Sequence, residues 1–261
     1  MRAHSVYETQ LQKLSDEAVG VLAQEVLSHL STQVSDDILP GGQLDKDALE
    51  AFCDALTGDD GAVAADIIMQ ARGDGVSVES IYLGYLAGAA RMLGDRWEDD
   101  RVTFMQVTVA SGRIYAIMRG LRRFLAPILP DQRRHALFVS MPDDDHTLGV
   151  TMAADLFRQK GWDIQLETHR SLDQLIQALK QSDHTIIGVS ASRPETLVDL
   201  ARLVVSLRIC KPHSFILVSG HITEMEPDIV DLVDADAFAG SVPSAITQLE
   251  QLVTDLEQRA G

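Results

Sequence analysis

Apolar residues between Leu44 and Leu125 recur at the three-to-four-residue spacing of α-helices, and strand-like alternation is rare there. Ser77 and Thr103 each precede an apolar stretch and can cap a helix, whereas Pro127 follows the last stretch. Four helices with short links predict a helical bundle over residues 44–130. The predicted helices span residues 45–56, 61–71, 77–97 and 103–125.

The second half of the chain alternates short apolar runs with amphipathic stretches. This strict βα order predicts parallel strands with right-handed crossovers and helices on both faces. Five βα units predict a flavodoxin-like, doubly wound, five-stranded parallel sheet over residues 131–261, so the chain is expected to be α plus α/β. The predicted strands are 136–140, 163–168, 185–190, 215–219 and 237–239, and the helices are 147–160, 171–181, 194–210, 224–233 and 244–258.

The first 43 residues differ from both of these regions. Residues 5–30 carry apolar positions at roughly helical spacing, and residues 31–43 contain Pro40-Gly41-Gly42, a turn signal. An amphipathic N-terminal helix followed by a linker is therefore predicted. The start is not expected to be a signal peptide, because no apolar core follows Arg2.

Composition narrows the possible functions. The formal net charge of −17 argues against direct binding to nucleic acids or acidic membranes, and permits a basic protein partner. No apolar run reaches bilayer length, and the two cysteines form no zinc pattern, so a reduced, cytoplasmic setting is expected. The sequence contains no nucleophile elbow, P-loop or GxGxxG motif, which favours a role other than catalysis.

The loop after the first predicted strand carries candidate chemistry, the string Asp144-x-His146-x-x-Gly149. A neutral imidazole is a good metal ligand, and a carboxylate two residues away can accept its other ring proton. A glycine leaves room for a bulky ring near the backbone. By itself the string also fits a surface loop whose aspartates cap the next helix.

The string resembles the Asp-x-His-x-x-Gly motif of cobalamin-binding domains. The resemblance implies that His146 binds cobalt, and that small residues in the later loops receive the nucleotide tail of the cofactor. Serine and glycine are also ordinary βα-turn residues, but here they follow three successive strands in the family's order. The matching positions are Ser190 and Ser192 after the third strand, Ser219 and Gly220 after the fourth, and Gly240 with Ser241 after the fifth.

The helical half carries a second resemblance. The string Gly94-Asp95-Arg96-Trp97 is similar to the helical cap that precedes the corrinoid domain in many cobalamin proteins. There the tryptophan lies against the upper face of the corrin ring. The alternative is that Trp97 is an ordinary core residue of the bundle. The family often has Glu-His on the next helix, where this chain has Val107 and Thr108. These two positions and Trp97 are therefore expected to contact the cofactor, but an upper protein ligand from Val107 or Thr108 is not implied.

The run from Trp97 to Phe104, followed by Gly112-Arg113-Ile114, resembles the AerR/PpaA antirepressors of purple photosynthetic bacteria. The resemblance implies a cobalamin-binding, light-responsive regulator that relieves repression by a CrtJ/PpsR-type DNA-binding repressor of photosystem genes. The related C-terminal domain of AppA is described as holding haem, which leaves a haem sensor as one alternative. A corrinoid methyl carrier serving a methyltransferase is the other.

Overall fold

The computed structural model describes residues 45–125, 134–142, 147–225 and 229–260. The predicted amphipathic segment 5–30 and its linker lie outside these ranges, as do Asp144 and His146 of the candidate loop. Within the described ranges, no helix is long and apolar enough to cross a membrane.

The predicted bundle is present, and its helices begin at polar capping residues. Asp60 caps the second helix, Ser77 the third, and Thr103 forms a reciprocal capping box with Gln106 at the start of the fourth. The helices are α1 (Lys46–Thr57), α2 (Gly61–Gly73), α3 (residues 78–98) and α4 (Phe104–Leu121), the last followed by a 3₁₀ turn, Arg122–Phe124.

One feature of α3 is not predicted by its sequence pattern. The stretch Ile81–Leu86 is a π-helix between two α-helical segments, Val78–Ser80 and Ala87–Glu98. Almost all of its side chains are buried, including Tyr82, which has no exposed surface. Such wide turns are uncommon and often occur where a helix contributes to a functional contact.

The second domain is a five-stranded parallel sheet with strand order β2-β1-β3-β4-β5. This order is the flavodoxin-like arrangement, so the predicted fold class is confirmed. The strands are β1 (His135–Ser140), β2 (Asp163–Glu167), β3 (Ile186–Ser190), β4 (Phe215–Ser219) and β5 (Ala237–Ala239).

The helices of the sheet domain follow the predicted order with three differences. A 3₁₀ turn, Pro194–Thr196, precedes the helix after β3, and the last helix begins at Val242, with Pro243 in its first turn, where a missing N–H costs nothing. The predicted helix 224–233 is described as two short segments, with residues 226–228 outside the described ranges. The helices are α5 (Leu148–Gln159), α6 (Leu172–Gln181), α7 (Leu197–Cys210), α8 (Ile222–Met225), α9 (Ile229–Leu232) and α10 (Val242–Ala260).

Helix α5 belongs to the cores of both domains. Leu148, Met152 and Leu156 join the apolar cluster of the bundle, whereas Phe157 packs with the sheet. Because apolar side chains of α5 are removed from water on both sides, this helix holds the bundle against the sheet domain.

A buried polar cluster joins the domains at the same place. The carboxylate of Asp155 on α5 is buried and accepts a hydrogen bond from Tyr82 Oη at 3.0 Å. Arg122 Nε at 2.8 Å and Arg158 Nη1 at 3.2 Å donate to the same carboxylate. Burial, and next the Asp155 carboxylate, raise the pKa of Tyr82, so its hydroxyl stays protonated and donates at neutral pH. We call Tyr82, Arg122, Asp155 and Arg158 the Asp155 cluster.

The two cysteines are expected to differ sharply in reactivity. Cys53 is fully buried in the bundle, and burial raises the pKa of its thiol to about 12, whereas Cys210 is partly exposed. Because the thiolate is the reactive form, iodoacetamide should label one thiol per native chain at pH 8 and two after unfolding in urea. In Cys210→Ser, native labelling should disappear. Equal labelling rates for both thiols in the native protein would contradict the described burial.

Candidate cofactor-binding site

Three serines stand side by side at the carboxyl ends of neighbouring strands. Ser140 of β1 pairs in register with Ser190 of β3, and Ser190 pairs with Ser219 of β4, which pairs with Ala239 of β5. Side chains in register on parallel strands project from the same face of a sheet. The row therefore lays hydroxyl groups along one face, at the edge where ligands of such sheets bind.

A cavity lies on that face, between the sheet and helices α5 and α10. Its volume is about 30 Å³. The floor is formed by β1, β3, β4 and β5, one wall by α5, and the other by the start of α10. Most of the lining residues are small or carry a hydroxyl. They are Phe138, Val150, Ala153, Phe157, Gly188, Ser190, Leu217, Ser219, Gly220, Ala239, Gly240, Ser241, Val242 and Ala245.

The floor of the cavity depends on a glycine in the middle of β3. A Cβ atom on Gly188 would lie 2.8 Å from Cδ1 of Phe138, closer than side-chain atoms pack. Phe138 is itself fixed by an edge-to-face contact with Phe157, with ring centroids 4.9 Å apart. Gly188 thus lets the Phe138 ring lie flat across the strand, and the space beyond it remains open.

Two features lie at the carboxyl ends of β1 and β4, at the edge of the sheet beside the cavity. Gly220 has φ of 108°, a conformation that favours glycine, and turns the chain directly after Ser219. Ser140 Oγ is buried and has no hydrogen-bond partner among the described residues. A buried hydroxyl without a partner costs free energy, so this atom indicates that a polar ligand group belongs at this edge of the sheet.

The structure brings together five of the residues singled out from the sequence. They come from the carboxyl ends of three separate strands, and the residues that line the cavity are Ser190, Ser219, Gly220, Gly240 and Ser241. Ser192 is buried but is not part of the lining. Two further residues of the motif, Asp144 and His146, lie outside the described ranges, and their roles stay predictions. Gly149 is half-buried in the first turn of α5.

The bundle meets the sheet domain beside the candidate loop. Thr147, the residue after His146, is buried, and its Oγ1 lies 3.0 Å from Tyr115 Oη on α4. Thr108 is exposed two turns earlier on α4, at a spacing of seven residues that places it on the same face as Tyr115. The loop that carries the predicted ligand therefore ends in a direct contact with the bundle.

The other two predicted contacts in the bundle lie in its interior. Val107 has no exposed surface and belongs to the apolar core, so in this arrangement its side chain offers no surface to a cofactor. Trp97 is partly buried and packs against the same core. Its contact with a corrin ring stays a prediction. Of the two positions where the family often has Glu-His, only Thr108 has surface available for a ligand.

Several cavity residues were not predicted from the sequence. For Gly188, the period-two spacing of a strand was an available signal. Gly188 stands two residues before Ser190 in an apolar strand, and period-two alternation puts both side chains on one face. The serine at 140 ends β1 as Ser190 ends β3, but only the strand register makes them neighbours. The wall residues Val150, Ala153 and Ala245 give no such signal, because small apolar residues are common on amphipathic helices.

A helical bundle packed beside the strand-end cavity of a parallel sheet defines a two-domain cofactor-binding protein. Two family models, both described as B12 binding domain, match residues 48–122 and residues 134–250, which correspond to the bundle and to the sheet domain. The chain therefore belongs to the cobalamin-binding proteins.

A curated relative indicates which group of cobalamin-binding proteins the chain resembles. It is an uncharacterized 20.5 kDa protein from the bchF-crtJ intergenic region of Rhodobacter capsulatus, 26% identical over 178 residues, which cover 66% of this chain and 92% of the relative. Together with the two family models, this match confirms the prediction of an AerR/PpaA-type cobalamin-binding protein.

A solved structure shares the architecture. The monomethylamine corrinoid protein of Methanosarcina barkeri superposes with a TM-score of 0.66 at 16% identity, covering 79% of this chain and 99% of that chain. At this level of identity the match shows a common fold, with a helical domain and a parallel sheet domain.

The described residues fit cobalamin as the cofactor. The serine hydroxyls and small residues that line the cavity suit a nucleotide tail, and Ser140 Oγ, at the end of the neighbouring strand, is available to bond to a polar group. Ser190, Ser219 and Gly240 would hold the tail. The described residues contain no group of three or more histidines, cysteines or acids that could hold a metal ion. His146, the predicted cobalt ligand, lies outside the described ranges, so its role stays a prediction.

Filling the cavity should weaken cobalamin binding without unfolding the protein. Ala153 lines the cavity from α5 and is partly exposed, so Ala153→Phe can be accommodated in the helix while its ring occupies the tail space. Overfilling a formed pocket costs about 1–3 kcal/mol, so the Kd for hydroxocobalamin should rise about 5- to 150-fold. Equilibrium dialysis measures the Kd. Ala51→Phe, at an exposed alanine of α1, is the control and should bind normally; equal affinity of both variants would show that the tail lies elsewhere.

Proposed function

We propose that this protein is a cytoplasmic, cobalamin-binding, light-responsive antirepressor that acts through a CrtJ/PpsR-type repressor of photosystem genes. The observation that carries the proposal is the curated relative, whose gene lies beside crtJ and which matches 66% of this chain. That neighbourhood agrees with the resemblance between the run from Trp97 to Phe104 and the AerR/PpaA antirepressors.

A role without catalysis agrees with the arrangement of the site. The bundle position that often carries Glu-His in the family is Val107-Thr108 here, and Val107 is buried in the bundle core. No described aspartate, glutamate, histidine, lysine, cysteine or tyrosine lines the cavity. The proposed partner supplies the DNA-binding surface, since a formal charge of −17 opposes direct association with DNA.

The described contacts offer a route from the cofactor to the bundle surface. Bound cobalamin would supply a light-sensitive cobalt centre. His146 is the proposed protein ligand, and the adjacent Thr147 bonds to Tyr115 of α4. A change in how His146 is held therefore alters the restraint on Thr147 and on α4. Coupling requires that the two ligation states favour different arrangements of these residues, and the Thr147–Tyr115 contact is where that difference would be expressed.

The test combines a spectrum with a partner assay. The full chain is purified with hydroxocobalamin, and its absorption is recorded in the dark and after white light. The same samples are then added to a CrtJ/PpsR-type repressor bound to its operator, and repressor release is measured by fluorescence anisotropy. We expect a protein-bound corrinoid spectrum that shifts on illumination, together with a change of several-fold in repressor release.

Three outcomes would overturn the proposal. Repressor release that is the same with and without cobalamin and light would remove the regulatory role. A Soret band in place of a corrinoid spectrum would indicate a haem sensor on this scaffold. Stoichiometric methyl transfer to and from the bound cobalt would indicate a methyl carrier.

A further inference from the structure

A second open site lies in the bundle, between α2 and α4 and away from the cofactor cavity. It is a solvent-facing groove with a volume of about 260 Å³. We call it the α2/α4 groove. The lining residues are mostly small or apolar, with two arginines; they are Gly61, Ala65, Ile68, Met69, Arg113, Ala116, Ile117, Gly120, Leu121 and Arg123.

The groove is open because small residues face each other across it. Ala65 on α2 and Ala116 on α4 are exposed, and a Cβ atom on Gly120 would meet nothing within 4 Å. Met69 lines the groove and is 44% exposed. The same two helices expose further large apolar side chains, namely Val63, Met105 and Val109, and Phe124 lies just beyond α4. Small residues let another helix approach closely, and exposed apolar side chains gain free energy when one covers them.

We propose that the α2/α4 groove is covered by the chain's own N-terminal segment, residues 5–30, packed as an amphipathic helix. The apolar positions of that segment recur at helical spacing, at Leu11, Leu14, Val19, Leu22, Val26, Leu27 and Leu30. Nothing in the proposal depends on the bound cofactor or on the repressor.

Asp45, the first described residue of the bundle, lies at the end of the groove where α2 finishes. Arg113 donates to Leu56 O at the end of α1 and lies beside Gly61 at the start of α2, so this end of the groove is far from the start of α1. At the other end, where α2 finishes, Arg72 lies over the Phe124 ring. Because α1 and α2 form a helical hairpin, Asp45 also lies at that second end, and the chain enters the bundle there.

Residues 31–44 are long enough to let residues 5–30 reach the α2/α4 groove. Residues 31–44 number 14, which reach at most about 46 Å when extended and span roughly 20 Å as a flexible linker. Helix α2 has 13 residues and is about 20 Å long, so roughly half of a 26-residue helix would lie in the groove. The linker can therefore place the segment on the groove of its own chain.

Charge favours the same occupant. The groove lining includes Arg113 and Arg123 and no acidic residue. Residues 5–30 contain four acidic side chains against one basic one, Lys13. An acidic amphipathic helix beside a groove with two arginines gains attraction at its rim as well as apolar burial in its centre. The acidic side chains are Glu8, Asp16, Glu17 and Glu25.

Hydrogen exchange on the full-length, cobalamin-loaded protein tests the proposal. Mass spectrometry measures exchange of the backbone amides of residues 5–30 in the wild type and in Ala116→Arg, which places a long charged side chain in the groove from an exposed position. We expect exchange in this segment to be at least tenfold faster in Ala116→Arg than in the wild type. Ala51→Arg makes the same substitution at an exposed alanine of α1 outside the groove, and should exchange like the wild type.

The concentration dependence identifies the occupant. Protection of residues 5–30 that is unchanged on tenfold dilution supports the proposed contact within one chain. Protection that is lost on dilution, together with a dimer in sedimentation analysis, would mean that a second copy fills the groove, and would overturn the proposal. Absence of protection in the wild type, or equal protection in Ala116→Arg, would also overturn it.

Discussion

His146→Ala is expected to abolish cobalamin binding while leaving the fold intact. The imidazole is the proposed protein ligand to cobalt, and alanine supplies no replacement donor. The residue precedes Thr147 in the loop between β1 and α5, so the substitution leaves the described cores of both domains unchanged. After gel filtration with hydroxocobalamin, the wild type should carry about one cofactor per chain, whereas the variant should carry almost none.

The control for this variant is His213→Ala, at an exposed histidine before β4 and outside the cavity lining. It should retain the cofactor and its spectrum. Circular dichroism and the urea midpoint should be the same for both variants and the wild type. Stoichiometric cobalamin in His146→Ala would refute the ligand assignment. Loss of the fold in this variant would show that His146 is needed for folding.

Asp155→Ala is expected to lower the free energy of unfolding by about 3 kcal/mol, because it removes the acceptor shared by the Asp155 cluster. Tyr82 Oη would remain buried without its carboxylate partner. Arg122 and Arg158 are each partly exposed, so water can hydrate them after the substitution. The loss of unfolding free energy should therefore stay near the lower end of the range for breaking a buried charge network. Urea denaturation measures the change.

The chain contains a matched surface pair for comparison. Asp199 and Arg202 on α7 are 3.0 Å apart, and both are more than half exposed. Asp199→Ala should change stability by less than about 0.5 kcal/mol, because exposed ion pairs contribute little. Tyr82→Phe removes one hydroxyl and should cost roughly 1 kcal/mol. Equal urea midpoints for Asp155→Ala and Asp199→Ala would show that the Asp155 cluster does not hold the domains together.

The sequence predicts the fold well because each element carries its own local signal. Ser77 and Thr103 mark helix starts by their capping groups, and the five short apolar runs mark strands by length and alternation. The π-helical stretch Ile81–Leu86 has no such signal, because it differs from an α-helix only in which carbonyl each N–H reaches, and packing decides that.

The site is predicted less completely than the fold. Ser190, Ser219, Gly220 and Gly240 are recognisable because each follows a strand. Asp155 is not, since an acidic residue on an amphipathic helix is ordinarily solvated. Its burial depends on Tyr82 and Arg122, which are 73 and 33 residues away in sequence. Long-range contacts of this kind are decided by tertiary packing and leave no periodic pattern.

The two-sided packing of α5 means that the boundary between the two domains is not a place where the protein can be divided. A fragment containing only the sheet domain would expose Leu148, Met152 and Leu156 to water, together with the carboxylate that Tyr82 now covers. A fragment containing only the bundle would lose the helix that closes its core. Each half should therefore aggregate or fold poorly when produced alone. Co-expressed halves should recover solubility only if they associate.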